Sequence, residues 1–96
     1  MGKAEPQSIV TNLKDRRCYI CGYQGDLALH HMLHGTNRKK ADEDGLTCWL
    51  CVPCHTKLHD QGYKDRDLQM VAQMCWQKHY GLGIPGFIAR YGKSYL

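Results

Sequence analysis

The sequence predicts an α+β fold, in which two short strands form a hairpin, a helix follows the second strand, and further helices complete the chain. Apolar residues alternate with others over residues 26–33 and again over residues 46–51, as is typical of half-buried strands. A helical apolar stripe runs through residues 67–80. With 96 residues, of which 43% are hydrophobic, the chain is long enough for one modest core.

The predicted regions follow one another along the chain. Residues 1–17 start with a polar, proline-containing segment and predict a partly flexible lead-in. Residues 18–62 carry the hairpin and the first helix, which begins near Pro53 and ends before Gly62. Residues 63–96 predict a helical extension that packs on this core.

The connections and helix ends are indicated by small and polar residues. The stretch between the strands, residues 34–45, is mostly polar and predicts a long loop. In the extension, Asp67 is placed to cap the start of the main helix and Gly81 to end it. Residues 84–96 predict one short helix and an aromatic tail.

The distribution of charge suits contact with phosphates. The formal net charge is +4, and no Asp or Glu follows Asp67, so Lys78, Arg90 and Lys93 are the only charged residues of the C-terminal third. A solvated surface would have the same composition, so charge alone leaves both interpretations open.

The composition also predicts the compartment. No apolar run approaches the ~20 residues that span a membrane, and no secretory signal follows the N-terminus. We therefore expect a soluble cytoplasmic protein without membrane contacts. Thiols stay reduced in that compartment, where patterned cysteines bind metal more often than they form disulfides.

Four of the six cysteines form two Cys-x-x-Cys pairs. Cys18 and Cys21 make the first pair, Cys51 and Cys54 the second, and 29 residues separate the pairs. A tetrahedral zinc ion takes four such thiolates, so the pattern predicts a structural Zn²⁺ site. The alternative is a set of buried, unpaired cysteines, which is how we interpret the two remaining ones, Cys48 and Cys75.

The histidines indicate a second metal site. His55 and His59 are four residues apart, which places both imidazoles on one face of a helix. His30 and His31 are adjacent on a predicted strand and point to opposite faces, so one can bind a metal while the other reaches a substrate. Ordinary surface histidines are the alternative. We expect no metal role for the two others, His34 and His79.

Three segments carry these residues in a specific order: CYIC at 18–21, LHHM at 29–32 and LCVPCHTKLH at 50–59. Together they resemble the HNH endonucleases of the treble-clef-like ββα-metal fold, and more narrowly the small HNH proteins of phages and prophages. The likeness covers about residues 18–96, and its C-terminal part is the less specific.

The resemblance implies a metal-dependent DNA endonuclease or nickase, with roles assigned by matching position. His30 and His55 would bind the catalytic divalent metal (Mg²⁺, Mn²⁺, Ni²⁺ or Zn²⁺), with His59 as the third ligand. His31 would be the general base that activates a water molecule. The four paired cysteines would hold the structural zinc that clamps the hairpin to the helix.

One position departs from the family's pattern. The middle asparagine of the family lies shortly before the third paired cysteine, where this chain has Gly45 or Leu46. Asn37 is a candidate substitute that would orient His31, and Arg38 is a candidate contact for the scissile phosphate. Both residue types are equally ordinary in a solvated loop.

Three hypotheses about function follow. The first is the endonuclease, acting on DNA as a monomer or homodimer. The second is a catalytically inactive zinc module that binds DNA or a host or phage protein, such as a phage modulator of recombination or bacterial defence. The third is a structural zinc knuckle within a larger assembly. The second set of histidines favours the first hypothesis, and the absent asparagine favours the second.

Overall fold

The computed structural model describes residues 7–96, and the predicted flexibility of the first six residues lies outside this range. Within it the chain has mixed α+β structure with a two-stranded antiparallel sheet, which confirms the predicted fold class. None of its helices has both the length and the apolar character needed to cross a bilayer. The elements are, in chain order, β1 (Leu27–His31), a 3-10 helix (Gly35–Asn37), α1 (Arg38–Asp44), β2 (Thr47–Cys51), α2 (Val52–Gln61), α3 (Asp65–Tyr80) and α4 (Ile84–Tyr91).

The hairpin places the histidine-bearing strand β1 opposite the cysteine-bearing strand β2. Leu27 pairs with Cys51 and His30 pairs with Cys48 across the antiparallel strands. Because α2 begins directly after β2, its first turn lies beside the hairpin end that carries Cys51, and Gly62 ends it in the left-handed conformation. The histidines of β1 and those of α2 therefore come from adjoining elements.

The segment before the hairpin lies along β2. The Trp49 indole donates to the Leu13 carbonyl at 2.8 Å, and the Arg16 guanidinium lies 4.4 Å from the centre of the Trp49 ring. The Ser8 hydroxyl donates to the Thr47 carbonyl at 2.6 Å. This segment has turns and bends but neither a helix nor a strand among residues 7–17.

The long loop predicted over residues 34–45 is wrong, since a 3-10 turn and then helix α1 occupy most of it. Arg, Lys, Ala and Glu are good helix formers, and α1 buries only Ala41, so no apolar stripe marked it. Gly45 ends α1 with φ of 79°, and a Cβ there would lie 3.2 Å from the Ile9 backbone nitrogen. Both the left-handed conformation and the close backbone nitrogen therefore favour glycine at this position.

Helix α3 begins three residues earlier than a cap at Asp67 predicts. Its first residue is Asp65, and Lys64 precedes it in a left-handed conformation with φ of 61°. Asp67 is therefore within the first turn, where its charge favours the positive end of the helix dipole, and is not the cap. Gly81 ends the helix as predicted.

One carboxylate joins three helices. Asp44, at the end of α1, accepts hydrogen bonds from the Trp76 indole at 2.9 Å, the Tyr91 hydroxyl at 2.6 Å and Arg90 Nε at 3.1 Å. Arg90 Nη2 donates to its other oxygen at 3.0 Å. Around these contacts lies the apolar core, whose largest fully buried side chains are Phe87, Met32, Leu33, Leu46 and Leu50.

We expect Asp44→Asn to lower the free energy of unfolding by about 2 kcal/mol, because hydrogen bonds to a charged group are among the stronger ones. Burial alone would raise the pKa of Asp44, but the donors of Arg90, Tyr91 and Trp76 outweigh it and hold that pKa below its ordinary value of 3.8. At pH values above 3.8 the ionised carboxylate therefore stabilises the fold in full. This stabilisation is lost as the pH falls through the lower pKa that Asp44 has in the folded state.

Urea denaturation of the parent and the variant, at neutral pH and in acid, measures this. The difference between the two proteins should be largest at neutral pH and shrink in acid. Glu43→Gln is the matched control, since Glu43 contacts Arg90 only at 3.4 Å from an exposed position. Equal stability of Asp44→Asn and the parent at neutral pH would contradict the expectation.

Candidate metal centres

The four paired cysteines meet where the turn at residues 18–21 lies beside the end of β2 and the start of α2. Their sulfur atoms all lie within 4.8 Å of one another, and Cys21 Sγ is 3.6 Å from Cys51 Sγ. A Zn–S distance of about 2.3 Å puts the sulfurs of a tetrahedral site about 3.8 Å apart, whereas a disulfide needs about 2.05 Å. The cysteine cluster therefore fits a structural metal ion such as zinc.

The surroundings of these thiols also suit a cation. Burial would raise the pKa of Cys18, but backbone amides of Cys51, Cys21 and Ile20 donate to its sulfur and lower that pKa to about 6. Burial and hydrogen bonds with neighbouring thiols raise the pKa of Cys54 well above its ordinary range. A divalent ion stabilises several neighbouring thiolates together, which is what this cluster of thiols would need.

The two other cysteines lie outside this cluster, as predicted. Cys48 is fully buried in β2, and burial raises the pKa of its thiol to about 12. Cys75 is partly buried on α3. Both cysteines therefore pack as small apolar side chains.

The histidines of β1 and α2 form the second cluster. The ligand atoms of His30, His55 and His59 lie within 4.8 Å of one another. The His30 ring is 5.2 Å from the His55 ring and 5.8 Å from the His59 ring, measured between centroids. His55 Nε2 and His59 Nε2 are 2.9 Å apart. The structure thus brings together the three histidines that the sequence assigned to a catalytic metal.

His30 has a buried nitrogen without a partner. Its side chain is 2% exposed, and its Nε2 is the one buried side-chain nitrogen or oxygen of residues 7–96 that lacks a hydrogen bond. Burial, followed by the neighbouring imidazoles of His55 and His34, lowers the pKa of His30 to about 3. The ring is therefore neutral at cellular pH and has the free lone pair that a metal ligand needs.

These histidines line a cavity of about 230 Å³, which is large enough for a cation with water or phosphate ligands. His31 and Arg38 lie on the same cavity wall. His31 Nε2 is 3.0 Å from Asp42 Oδ1 of α1. Since a carboxylate can only accept, His31 donates its Nε2 proton there, which leaves Nδ1 as the nitrogen able to accept a proton.

The structure places Asn37 away from this cavity. Its side-chain amide is buried and donates to the Tyr95 hydroxyl at 2.9 Å. The contact with His31 that the sequence suggested for Asn37 is instead made by Asp42. Where the HNH endonucleases that the sequence resembles have their middle asparagine, this chain has Gly45, which ends α1, and the fully buried Leu46.

Sequence reasoning missed three residues around the histidines. His34, expected to have no metal role, lies with its ring 5.5 Å from that of His30. His34 Nε2 is 2.7 Å from Asp65 Oδ1 at the start of α3. Asp42 lies in α1, within the stretch that the sequence predicted to be a loop. No local signal links Asp42 to His31 or His34 to Asp65, which are 11 and 31 residues apart in the sequence.

Comparison of the chain with protein-family models, with curated protein sequences and with solved structures finds no match in any of the three. The functional assignment therefore rests on the side chains and their geometry.

Proposed function

We propose that the protein is a metal-dependent DNA endonuclease or nickase of the HNH type, with a ββα-metal core formed by β1, β2 and α2. The observation that carries the proposal is the unpartnered, buried Nε2 of His30, which faces two more imidazoles in a cavity that also presents His31. A purely structural role would leave this buried nitrogen without a partner, at a cost of about 1–3 kcal/mol.

The residues that would hold the catalytic cation are His30, His55 and His59, each offering a neutral imidazole. Zn²⁺, Ni²⁺ and Mn²⁺ accept such ligands, and Mg²⁺ would need phosphate oxygens to complete its shell. When bound, the cation would act as a Lewis acid on the scissile phosphate and on the leaving 3′ oxygen.

The chain's own residues supply the remaining chemistry. His31 accepts a proton from the attacking water at Nδ1, while Asp42 holds the ring by its Nε2 proton. Arg38, exposed on the cavity wall, contacts the phosphate with its guanidinium. Lys39 beside it is also exposed and extends this positive surface along the DNA backbone, so binding should weaken as salt rises.

Nicking of supercoiled plasmid DNA by the zinc-loaded protein tests the proposal. We expect conversion to the open circle with at least one of Mg²⁺, Mn²⁺, Ni²⁺ and Zn²⁺, and none with excess EDTA. Absence of cleavage with every metal would overturn it and favour the inactive module that binds DNA or a host or phage protein. The replacement of the middle asparagine by a helix end and a buried leucine is the observation that supports this second function.

We expect Asp42→Asn to lower kcat for nicking by about tenfold or more while KM changes little, because an amide can donate to His31 and favour the wrong tautomer. Glu43→Gln is the matched control, since Glu43 is the next residue of α1 and contacts Arg90 instead. Plasmid nicking at several DNA concentrations separates the two constants. Equal rates for Asp42→Asn and Glu43→Gln would remove Asp42 from the mechanism.

A further inference from the structure

His34 and Asp65 add a second set of ligand atoms to the histidine cavity. The ligand atoms of His30, His34 and Asp65 lie within 4.8 Å of one another, as do those of His30, His55 and His59. The two sets share His30 and differ in their other members. Asp65 belongs to α3, so the second set joins the hairpin to the C-terminal extension.

The distances in the second set suit neighbouring ligands of one cation. His34 Nε2 and Asp65 Oδ1 are 2.7 Å apart, and two ligands about 2.1 Å from an ion at a right angle to each other are about 3.0 Å apart. Both side chains are partly buried, with 36% of His34 and 26% of Asp65 exposed. His30, a residue that is 2% exposed and whose buried Nε2 has no hydrogen-bond partner, supplies the third ligand atom of the set.

The two sets differ in chemistry. Three imidazoles form a nitrogen-only set, which suits Ni²⁺ or Zn²⁺. Two imidazoles and a carboxylate form a harder set, and the carboxylate oxygen suits Mn²⁺ better than a third imidazole does. In the second set His34 Nε2 must give up its proton to serve as a ligand, and Nδ1 can carry that proton, so the imidazole stays neutral.

We propose that the cavity has a second cation position, formed by His30, His34 and Asp65, which takes a harder divalent cation such as Mn²⁺ and excludes an ion from the three-histidine position. The two positions exclude each other because both need His30, and a neutral imidazole has a single nitrogen lone pair with which to hold one cation. The cation at this second position would be held from α3 by Asp65, whereas the first position draws its other ligands from α2, so the kind of metal would decide which position is filled.

A hydrogen bond that only fastens α3 to the end of the hairpin is the competing explanation for the contact between His34 and Asp65. Asp65→Asn separates the two explanations, because the amide oxygen still accepts from His34 but no longer supplies an anionic ligand. Asp67→Asn is the matched control, on the same helical turn with its side chain 68% exposed. Thermal melting of both variants checks that the fold is unchanged.

The measurement is the titration of zinc-loaded protein with Mn²⁺, followed by the electron paramagnetic resonance signal of free Mn²⁺, and with Ni²⁺, followed by calorimetry. We expect Asp65→Asn and His34→Ala to weaken Mn²⁺ binding by about tenfold or more and to leave Ni²⁺ binding within about twofold. His55→Ala should show the reverse preference, and saturating Ni²⁺ should release bound Mn²⁺.

Mn²⁺ affinity within about twofold of the parent in both Asp65→Asn and His34→Ala would overturn the second position, as would no Mn²⁺ binding by the parent at millimolar concentration. Simultaneous binding of Ni²⁺ and Mn²⁺ would overturn the sharing of His30. All these readouts are independent of DNA cleavage. A protein that binds Mn²⁺ in this way and nicks no DNA would retain the second position while the proposed endonuclease function failed.

Discussion

Replacing Cys51 by serine is expected to unfold the protein at room temperature. Cys51 is 3% exposed, and it ends β2 and precedes α2, so its ligand bond would hold the hairpin and the helix at their junction. Structural zinc contributes about 10–16 kcal/mol of apparent binding free energy in zinc-finger peptides, while whole domains are stable by only about 5–15 kcal/mol. Loss of one thiolate can therefore remove the whole margin of stability.

Far-UV circular dichroism on heating, together with the zinc content of the purified protein, measures this effect. Cys75→Ser is the matched control, because Cys75 is partly buried on α3 outside the cysteine cluster. This control should keep its zinc and melt close to the parent. If Cys51→Ser also kept its zinc and melted within a few degrees of the parent, the four cysteines would not form a structural zinc site.

Replacing His31 by alanine is expected to lower the rate of plasmid nicking by about 10²–10⁴-fold, the usual contribution of a general base. The side chain is 17% exposed and lines the cavity, so its removal should leave the core, the cysteine cluster and the other histidines in place. We therefore expect unchanged zinc content and melting temperature. Nicking is measured for the parent and the variant with each of the four metals and with EDTA.

His79→Ala is the control for this experiment, since His79 is exposed at the end of α3 and contacts Tyr80. Its nicking rate should equal that of the parent. Nicking by a clean preparation of His31→Ala at the parent's rate would show that another group takes the proton from water. A parent and a His79→Ala variant that are both inactive would count against the endonuclease itself.

Local patterns were sufficient to predict the hairpin and most of the helices. Alternation predicted both strands, and Pro53 and Gly62 set the bounds of α2 within a residue or two. Helix α1 was missed because Ala41 is its only buried residue, so a polar surface helix looked like a loop. The start of α3 was misplaced because its N-cap is a left-handed lysine, a residue type that gives no capping signal.

Residue types and spacing predicted which cysteines and which histidines would cluster, but contacts between elements placed their neighbours. The Cys-x-x-Cys pairs and the four-residue spacing of His55 and His59 are local features, and the structure brings each group together. Asp42 reaches His31 only because α1 folds beside β1, and Asp65 reaches His34 from a later helix. Contacts between elements depend on packing that one sequence does not show.

The position of Asp44 has a consequence for the order of events during synthesis. All the candidate metal ligands have been translated by Asp65, but Asp44 holds α1 through Trp76, Arg90 and Tyr91. At about 5–20 residues per second, the ribosome needs about 1 to 5 seconds to pass from Asp65 to Arg90. During that interval the nascent chain has its cysteines and histidines but not the contacts that fix Asp42 beside His31. The placement of Asp42 against His31 therefore depends on the last helices of the chain, and α1 can be fixed beside β1 only after α3 and α4 have been made.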